Sequence, residues 1–520
     1  MTLDDLFQQA VASHTAGNFP EAERFYRQVL VSVPNHPGAL HHLGLLAHQV
    51  GQNDVALKLI QRSIAMLPTS AAYSNLGEVY RLSGHFEEAV AAYRQAIALE
   101  PTAAPPWSNL GLALRQLRQF EQSESACRRA LELDPNYAGA YQNLCNVLGD
   151  RGKPDEAIAA GQRAAELDGG NATVWADLGA AYIEANDLAP AALAFERAIQ
   201  IDPNNAAGHH NLAQALLLQG EFERGWREYE WRWRCPEFPS PPRNFPQKQW
   251  DGSPLDGRTL LIHAEQGLGD TMMFARYLPI VAQRGGRVLF EVQKELRELL
   301  KNFPGTDQVI ARGQVIPAVD LQCPLLSLPI AMGTQVQTIP VDVPYIQADP
   351  KRVAQWDQRL APQRNGLRVG IVWAGRPTHT NDHNRSCRLV DFAPLAAIEG
   401  ITFYSLQIGP AASQAANPPA GMQLIDLGAE LQDYSDTAAV VSQLDLVISV
   451  DTSVVHLTGA MGRPVWVLLP LNCDWRWIKG RDDSPWYPMM RLFRQTAPNS
   501  WPEVFERVAG ELRGLVSRLT

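Results

Sequence analysis

Two patterns of apolar and polar positions divide the chain. Through residue 235, apolar positions recur at helical spacing inside a longer unit of about 34 residues. Leu43, Leu76, Leu110 and Leu178 are each followed by glycine: Gly44, Gly77, Gly111 and Gly179. A bulky residue stands three places before the leucine position, at Leu40, Tyr73, Trp107, Tyr141 and Trp175. Twelve places after the glycine position comes a small residue (Ala56, Ala89, Ser123, Ala157, Ala191), and Pro34, Pro68, Pro101, Pro135 and Pro203 close the units. Small residues let two antiparallel helices approach closely, and proline stops the second. From Arg258 the pattern changes to short β-branched runs alternating with helical stretches. Thr259–Ala264, Arg287–Val292, Leu367–Trp373, Ile401–Gln407, Gln423–Asp426, Leu446–Val450 and Val465–Leu469 read as strands, with weaker ones near Val309 and Val341.

The first pattern resembles the tetratricopeptide repeat, in about seven units over residues 1–235. Stacked units of that kind bury one another's apolar faces and leave a concave groove, which implies binding of a polypeptide, or bracing and self-association. The last unit runs into Gly225-Trp226-Arg227-Glu228-Tyr229-Glu230-Trp231-Arg232-Trp233-Arg234, a tryptophan–arginine segment that reads as a cap docking the repeats onto the next domain. Residues 236–257 carry six prolines and predict a stiff linker. The remainder predicts two Rossmann-like α/β lobes, residues 258–345 and 346–520, with a cleft at the carboxyl ends of their strands. The amphipathic helix Pro502–Leu519 is expected to cross back to the first lobe. The fold class is therefore α + α/β, a helical solenoid followed by two parallel-sheet lobes.

Composition narrows the partners. A formal net charge of −10 in 520 residues argues against nucleic acid or an anionic membrane. Six cysteines at positions 127, 145, 235, 323, 387 and 473 form no C-x-x-C pair, the usage of reduced thiols. The acidic, amphipathic start MTLDDLFQQA is unlike a signal peptide, and no uncharged apolar run reaches the ~18 residues of a membrane span. A cytoplasmic protein is expected, with an oligomer allowed.

Candidate chemistry gathers at strand ends. After the strand Leu446–Val450, Asp451 is placed to cap a helix that ends at Gly462, before Pro464. The positive end of that helix favours an anion, so Asp451, Thr452 and Ser453 read as a diphosphate site and hence a nucleotide-sugar site. His456 shares a helix face with Thr452. A plain helix cap explains the same residues. The sequence Asp451-Thr452-Ser453-Val454-Val455-His456, with Gly459-Ala460-Met461-Gly462-Arg463-Pro464 after it, closely resembles the donor-binding segment of heptosyltransferase-type GT-B glycosyltransferases. That resemblance covers residues 258–520. The glycines of the turn Gln266-Gly267-Leu268-Gly269-Asp270 let backbone approach a ligand in the cleft, and the resemblance, which has a Gly-Asp at the equivalent turn, implies that Asp270 is the general base for the acceptor hydroxyl. A helix cap at Asp270 is one alternative. A dinucleotide fingerprint ending at Glu291 is another, weakened by Met272 where the third glycine belongs.

In the second lobe Trp373-Ala374-Gly375-Arg376 leads into a polar loop, and Arg385 is the cation expected to meet the diphosphate, with Arg376 and Arg388 left open. Gln407 is placed for hydrogen bonds to base or ribose, and Asp474-Trp475-Arg476-Trp477 for the acceptor side. His379, His383 and Cys387 have spacing that would suit zinc on a helix but fall in a loop. No Asp-x-Asp occurs, so no metal or other cofactor is expected and helix terminus plus cation would stabilise a leaving diphosphate. The overall plan is also similar to that of protein O-N-acetylglucosamine transferases. The expectation is a metal-independent glycosyltransferase of hexosyl or heptosyl class, acting on a hydroxyl such as Ser/Thr of a protein recruited by the repeats. The alternative is a non-catalytic tetratricopeptide scaffold with a degenerate GT-B domain.

Overall fold

The computed structural model describes residues 2–236, 238–361, 366–379 and 381–518. It divides into two compact units, Met1–Asn205 and Ala206–Thr520.

The first unit consists of six antiparallel helix pairs, beginning with Leu3–Thr15 and Phe19–Ser32 and ending with Ala172–Glu184 and Leu188–Ile201. The repeated glycines are where the two helices of a pair touch. A Cβ on Gly44 would lie 2.7 Å from Ile60 Cγ1, and one on Gly77 would lie 2.7 Å from Tyr93 Cε1. The small residue twelve places on faces the same contact, and at Ser123 its hydroxyl donates to Gly111 O at 2.6 Å. Each pair has a modest apolar core shared with the next, so burial accumulates by stacking.

A seventh pair, Ala206–Gln219 and Phe222–Tyr229, belongs to the second unit, one helix pair before the end of the repeat pattern. Eleven strands follow among the described residues: β1 Lys248–Gln249, β2 Thr259–His263, β3 Arg287–Val292, β4 Gln308–Ala311, β5 Leu321–Pro324, β6 Leu367–Val372, β7 Ile401–Ser405, β8 Leu424–Asp426, β9 Leu446–Val450, β10 Val465–Leu469 and β11 Met490–Arg494. They form two sheets, β1-β5-β2-β3-β4 and β11-β10-β9-β6-β7-β8, paired in parallel throughout. Read from the other edge, the second sheet has the doubly wound order, reversing direction between β6 and β9. The first reverses between β2 and β5. Those reversals put the ends of β2, β5, β6 and β9 where crevices open in such folds.

Four expectations change. No strand forms at Val341; the first sheet takes Leu321–Pro324 instead, between β1 and β2. The second sheet gains β11, beside β10. The proline-rich segment is packed, not a spacer: Phe245 joins an apolar cluster with Leu261, Leu289 and Ile310, Arg243 pairs with buried Glu291, and β1 extends the first sheet. The last helix, Trp501–Val516, does not cross back. Its stripe of Trp501, Val504, Phe505, Val508, Ala509 and Leu512 fills the core of the second sheet with Leu367, Val369 and Phe403.

Candidate functional site

The tip of the first sheet is built by the turn after β2. Gln266 takes φ 57°, a left-handed conformation that points its backbone N–H to Ser240 Oγ at 2.8 Å. Its side-chain amide donates to Tyr229 Oη at 2.7 Å. Gly267 precedes the helix Leu268–Phe274, and its N–H donates to Asp270 Oδ2 at 2.8 Å. The other carboxylate oxygen of Asp270 is ion-paired with Arg476. Arg476 also reaches Asp474 Oδ1 at 2.7 Å and lies 4.3 Å from the Trp475 ring centroid. Burial opposes its charge, and Asp270 and Asp474 offset that cost, keeping the guanidinium protonated. Asp270 is therefore both a cap of its own helix and one half of an ion pair between the two sheets' connecting segments.

At the tip of the second sheet Asp451 does not cap the following helix. Thr452 occupies the cap position of Ser453–Ala460 without a side-chain cap bond, and its hydroxyl sits 3.1 Å from Ser449 Oγ. Asp451 Oδ2 instead accepts from Trp477 Nε1 at 2.9 Å. Desolvation, reinforced by the charge of Asp474, pushes the Asp451 carboxyl up to about 6, against the pull of Trp477, Arg385 and Arg476. The Ser453 hydroxyl is bonded to Tyr434 Oη. His456 is buried, stacks on Trp477 at 5.5 Å and meets Tyr487 Oη at 3.2 Å through Nδ1. Burial, with Arg476 and Arg276 nearby, holds this imidazole neutral, well below the usual histidine range. The two tips touch: a Cβ on Gly269 would lie 2.7 Å from His456 Cδ2. Residues expected to line a donor thus pack against one another.

The loop after β6 separates the three candidate cations. Arg385 closes the short helix Asp382–Arg385, binds Asp382 Oδ1 at 3.2 Å and lies over Gly375. It acts electrostatically on Asp451 and His379, while Arg376 acts on Tyr434. Arg388 turns outward, three-quarters exposed, 3.8 Å from Asp391. Gln407 is consumed by backbone. Its Oε1 accepts from Trp373 N at 3.0 Å and Ala374 N at 2.9 Å, and its Nε2 donates to Ala374 O at 3.0 Å and Ile408 O at 2.9 Å. Trp373 is wholly buried, and its Nε1–H has no hydrogen-bond partner. His379 and His383 are exposed while Cys387 is buried, and no group of three His, Cys, Asp or Glu among the described residues is placed to hold a metal ion.

Sequence reasoning missed the bonding of the most deeply buried charged group of this unit. Arg232, wholly buried, donates to Glu265 through Nε (3.0 Å) and Nη2 (2.8 Å), to Ser327 Oγ (2.9 Å) and to Glu230 Oε1 (2.7 Å). Beside it Phe222 and Trp226 join Phe274, Trp475 and Trp486 in one aromatic cluster. The signal for docking was the tryptophan–arginine run itself; its acidic partner Glu265 carried none.

Residues 6–230 match a family described as the cilia and flagella-associated protein 70 C-terminal domain. Protein FlbA of Caulobacter vibrioides is 28% identical over 326 residues, covering 58% of this chain and 54% of its own length. Tetratricopeptide repeat protein 7B of Homo sapiens is 27% identical over 101 residues, 19% of this chain and 12% of its own. The chain thus spans about half of the first relative and an eighth of the second. A solved tetratricopeptide repeat protein from Parabacteroides merdae is similar at 17% identity and TM-score 0.38, over 44% of this chain and 91% of that one. The family match and the sequence relatives overturn the expected enzyme. The relatives are described as repeat proteins, as a cilia- and flagella-associated domain and as FlbA, none as a glycosyltransferase, and the transferase and nucleotide-sugar chemistry inferred from the tip motif falls with that assignment.

Proposed function

We propose that this chain is a non-catalytic tetratricopeptide scaffold. Its helix pairs hold a polypeptide partner, and its second unit is a rigid body of GT-B-like layout without transfer chemistry. The observation that carries this reading is the internal commitment of the strand-end groups. Asp270 is shared between a helix cap and Arg476, and Gln407 makes four backbone bonds. A base must be free to take a proton, and a recognition amide must have a bond to offer. The helix pairs and the family match over residues 6–230 support the binding role. The FlbA match, at 58% of the chain, is longer than the first unit, so the relative shares part of the second as well.

The test joins two measurements on the full chain. Incubation with a panel of nucleotide sugars and hydroxyl acceptors is expected to release no nucleotide above that of an Asp270→Asn variant. Peptides selected by display on the full chain are expected to slow amide exchange in the helices of residues 1–205 and not at Gly267–Asp270 or Ser453–His456. Nucleotide release that Asp270→Asn abolishes, with protection at those two tips, would reverse the reading.

A further inference from the structure

Histidines crowd the start of the first unit. His14 lies in the last turn of Leu3–Thr15, His36 caps Pro37–Gln49, and His41 and His42 lie inside that helix. Ring centroids of His41 and His42 are 5.5 Å apart, and those of His14 and His42 6.2 Å. His42 stacks on Tyr26 at 5.9 Å with 12° between the planes, and Phe7 stands 5.8 Å from it. A cavity of about 420 Å³ opens beside them, lined by Val11, His14, Phe19, His42 and Gln49.

His14 Nδ1 lies 3.2 Å from Tyr26 Oη and His14 Nε2 2.8 Å from Gln49 Oε1. Asn75 Nδ2 donates to His41 Nε2 at 2.9 Å, a bond that a neutral ring accepts. The groups facing the pair are Phe7 and His14 from the first helix, Tyr26 from the second and Asn75 from Ser70–Leu82. Of the acids on the packed helices, Asp5 closes a capping box with Thr2, Glu21 takes Arg24, Glu23 takes Arg27 and Glu78 takes Arg81 and Tyr93, while Asp4 and Asp54 stand in the first turns of their own helices. The charges that act on the pair are histidines themselves, His42 on His41 and His14 on His42. A proton gained here therefore meets apolar surroundings and like charge.

We propose that the His41–His42 pair is an acid-sensitive joint, whose protonation releases the first helix pair, residues 3–32, from the helix Pro37–Gln49. That pair is held by Tyr26 and Val29 against Ala39, Leu43 and Leu46, so its release uncovers an apolar strip. Burial holds His41 down to about 4 and lowers His42 as well. With both rings depressed, their stabilising effect is complete above the ordinary histidine value of 6.5 and is lost as pH falls toward about 4.

Hydrogen exchange of the full chain at pH 7.5 and 5.0, corrected for intrinsic rates, tests this. The opening constant of amides in Leu3–Ser32 is expected to rise at least about tenfold at the lower pH, after allowance for partial exposure of the rings. The pair Ala172–Glu184 and Leu188–Ile201, which has no histidine, is expected to change less than about twofold. In His41→Gln/His42→Phe, which keeps an amide for Asn75 and a ring for Tyr26, the acid response should vanish. An unchanged wild-type constant, or a rise that persists in the double variant, overturns the joint. Should the variant not fold, ring-proton titration of the wild type decides: titration near 6.5 with the first pair still protected overturns it, and depressed titration together with loss of protection supports it.

Discussion

Arg476 is ion-paired with both Asp270 and Asp474, whereas Asp451 forms no ion pair among the described residues and feels Arg385 and Arg476 only at longer range. The difference sets how each carboxylate responds to pH. The Asp451 carboxyl is raised from 3.8 to about 6, so its protonated form is the one the fold prefers. Proton-linked stability is complete below 3.8 and is lost as pH rises through about 6. Asp451→Asn keeps an oxygen for Trp477 Nε1 and removes the charge. A shift of this size corresponds to at most about 3 kcal/mol, and partial exposure reduces that to about 1–2. The variant is expected to be more stable than wild type at pH 7.5 by that amount and indistinguishable from it below pH 3.8, as read by chemical unfolding of the second unit across pH. Equal pH dependence of the two proteins would contradict a destabilising charge at this tip. The tip motif was legible from Asp451 to His456 because spacing alone puts Thr452 and His456 on one helix face. Its use was not legible, since the partners Trp477, Tyr434 and Tyr487 come from distant segments.

Elements were legible where their surroundings are symmetrical. β6, β7, β9 and β10 lie inside the second sheet and read as nearly unbroken apolar runs, as buried parallel strands do. β11 is an edge strand whose second residue is the exposed Arg491, and β5 carries Gln322 and Pro324; neither has the apolar run that marks a central strand. Amphipathicity located the last helix but not the sheet it covers, because an apolar stripe specifies burial and not a partner. Gln407 joins elements in the same hidden way. It follows β7, yet its amide ties the start of the loop after β6 to its own strand end through four hydrogen bonds. Gln407→Leu keeps the volume and leaves the N–H groups of Trp373 and Ala374 without their acceptor. A loss of about 2–4 kcal/mol is expected, seen as a lowered Tm of the second unit by calorimetry. A Tm within about a degree of wild type would mean that other groups replace those bonds.

At the scale of the whole chain, the repeat pattern and the contact boundary disagree by one helix pair, and the disagreement has energetic content. The pattern ends at residue 235, whereas the helices Ala206–Gln219 and Phe222–Tyr229 belong with the α/β sheets. Periodicity reports which residues pack within and between repeats; it carries nothing about the far side of the last repeat, where Trp226, Phe222 and Arg232 enter another core. Cutting at the two boundaries should therefore give opposite results. Residues 206–520 retain Arg232 with Glu265 and the aromatic cluster, and are expected to be monodisperse with native-like tryptophan emission. Residues 236–520 lose that arginine and leave Glu265 unpaired where it is 2% exposed. Breaking one side of a buried ion pair costs about 3–5 kcal/mol, a large part of the stability of a domain, and Phe274, Trp475 and Trp486 would also be uncovered. The shorter fragment is expected to aggregate or to unfold well below the longer one in a thermal scan. Arg232→Met in the intact chain isolates the electrostatic part: it fills the space, keeps the aromatic cluster and should lower stability by about the same 3–5 kcal/mol. If residues 236–520 proved as stable as residues 206–520, the seventh helix pair would be an ordinary repeat and not part of the α/β body.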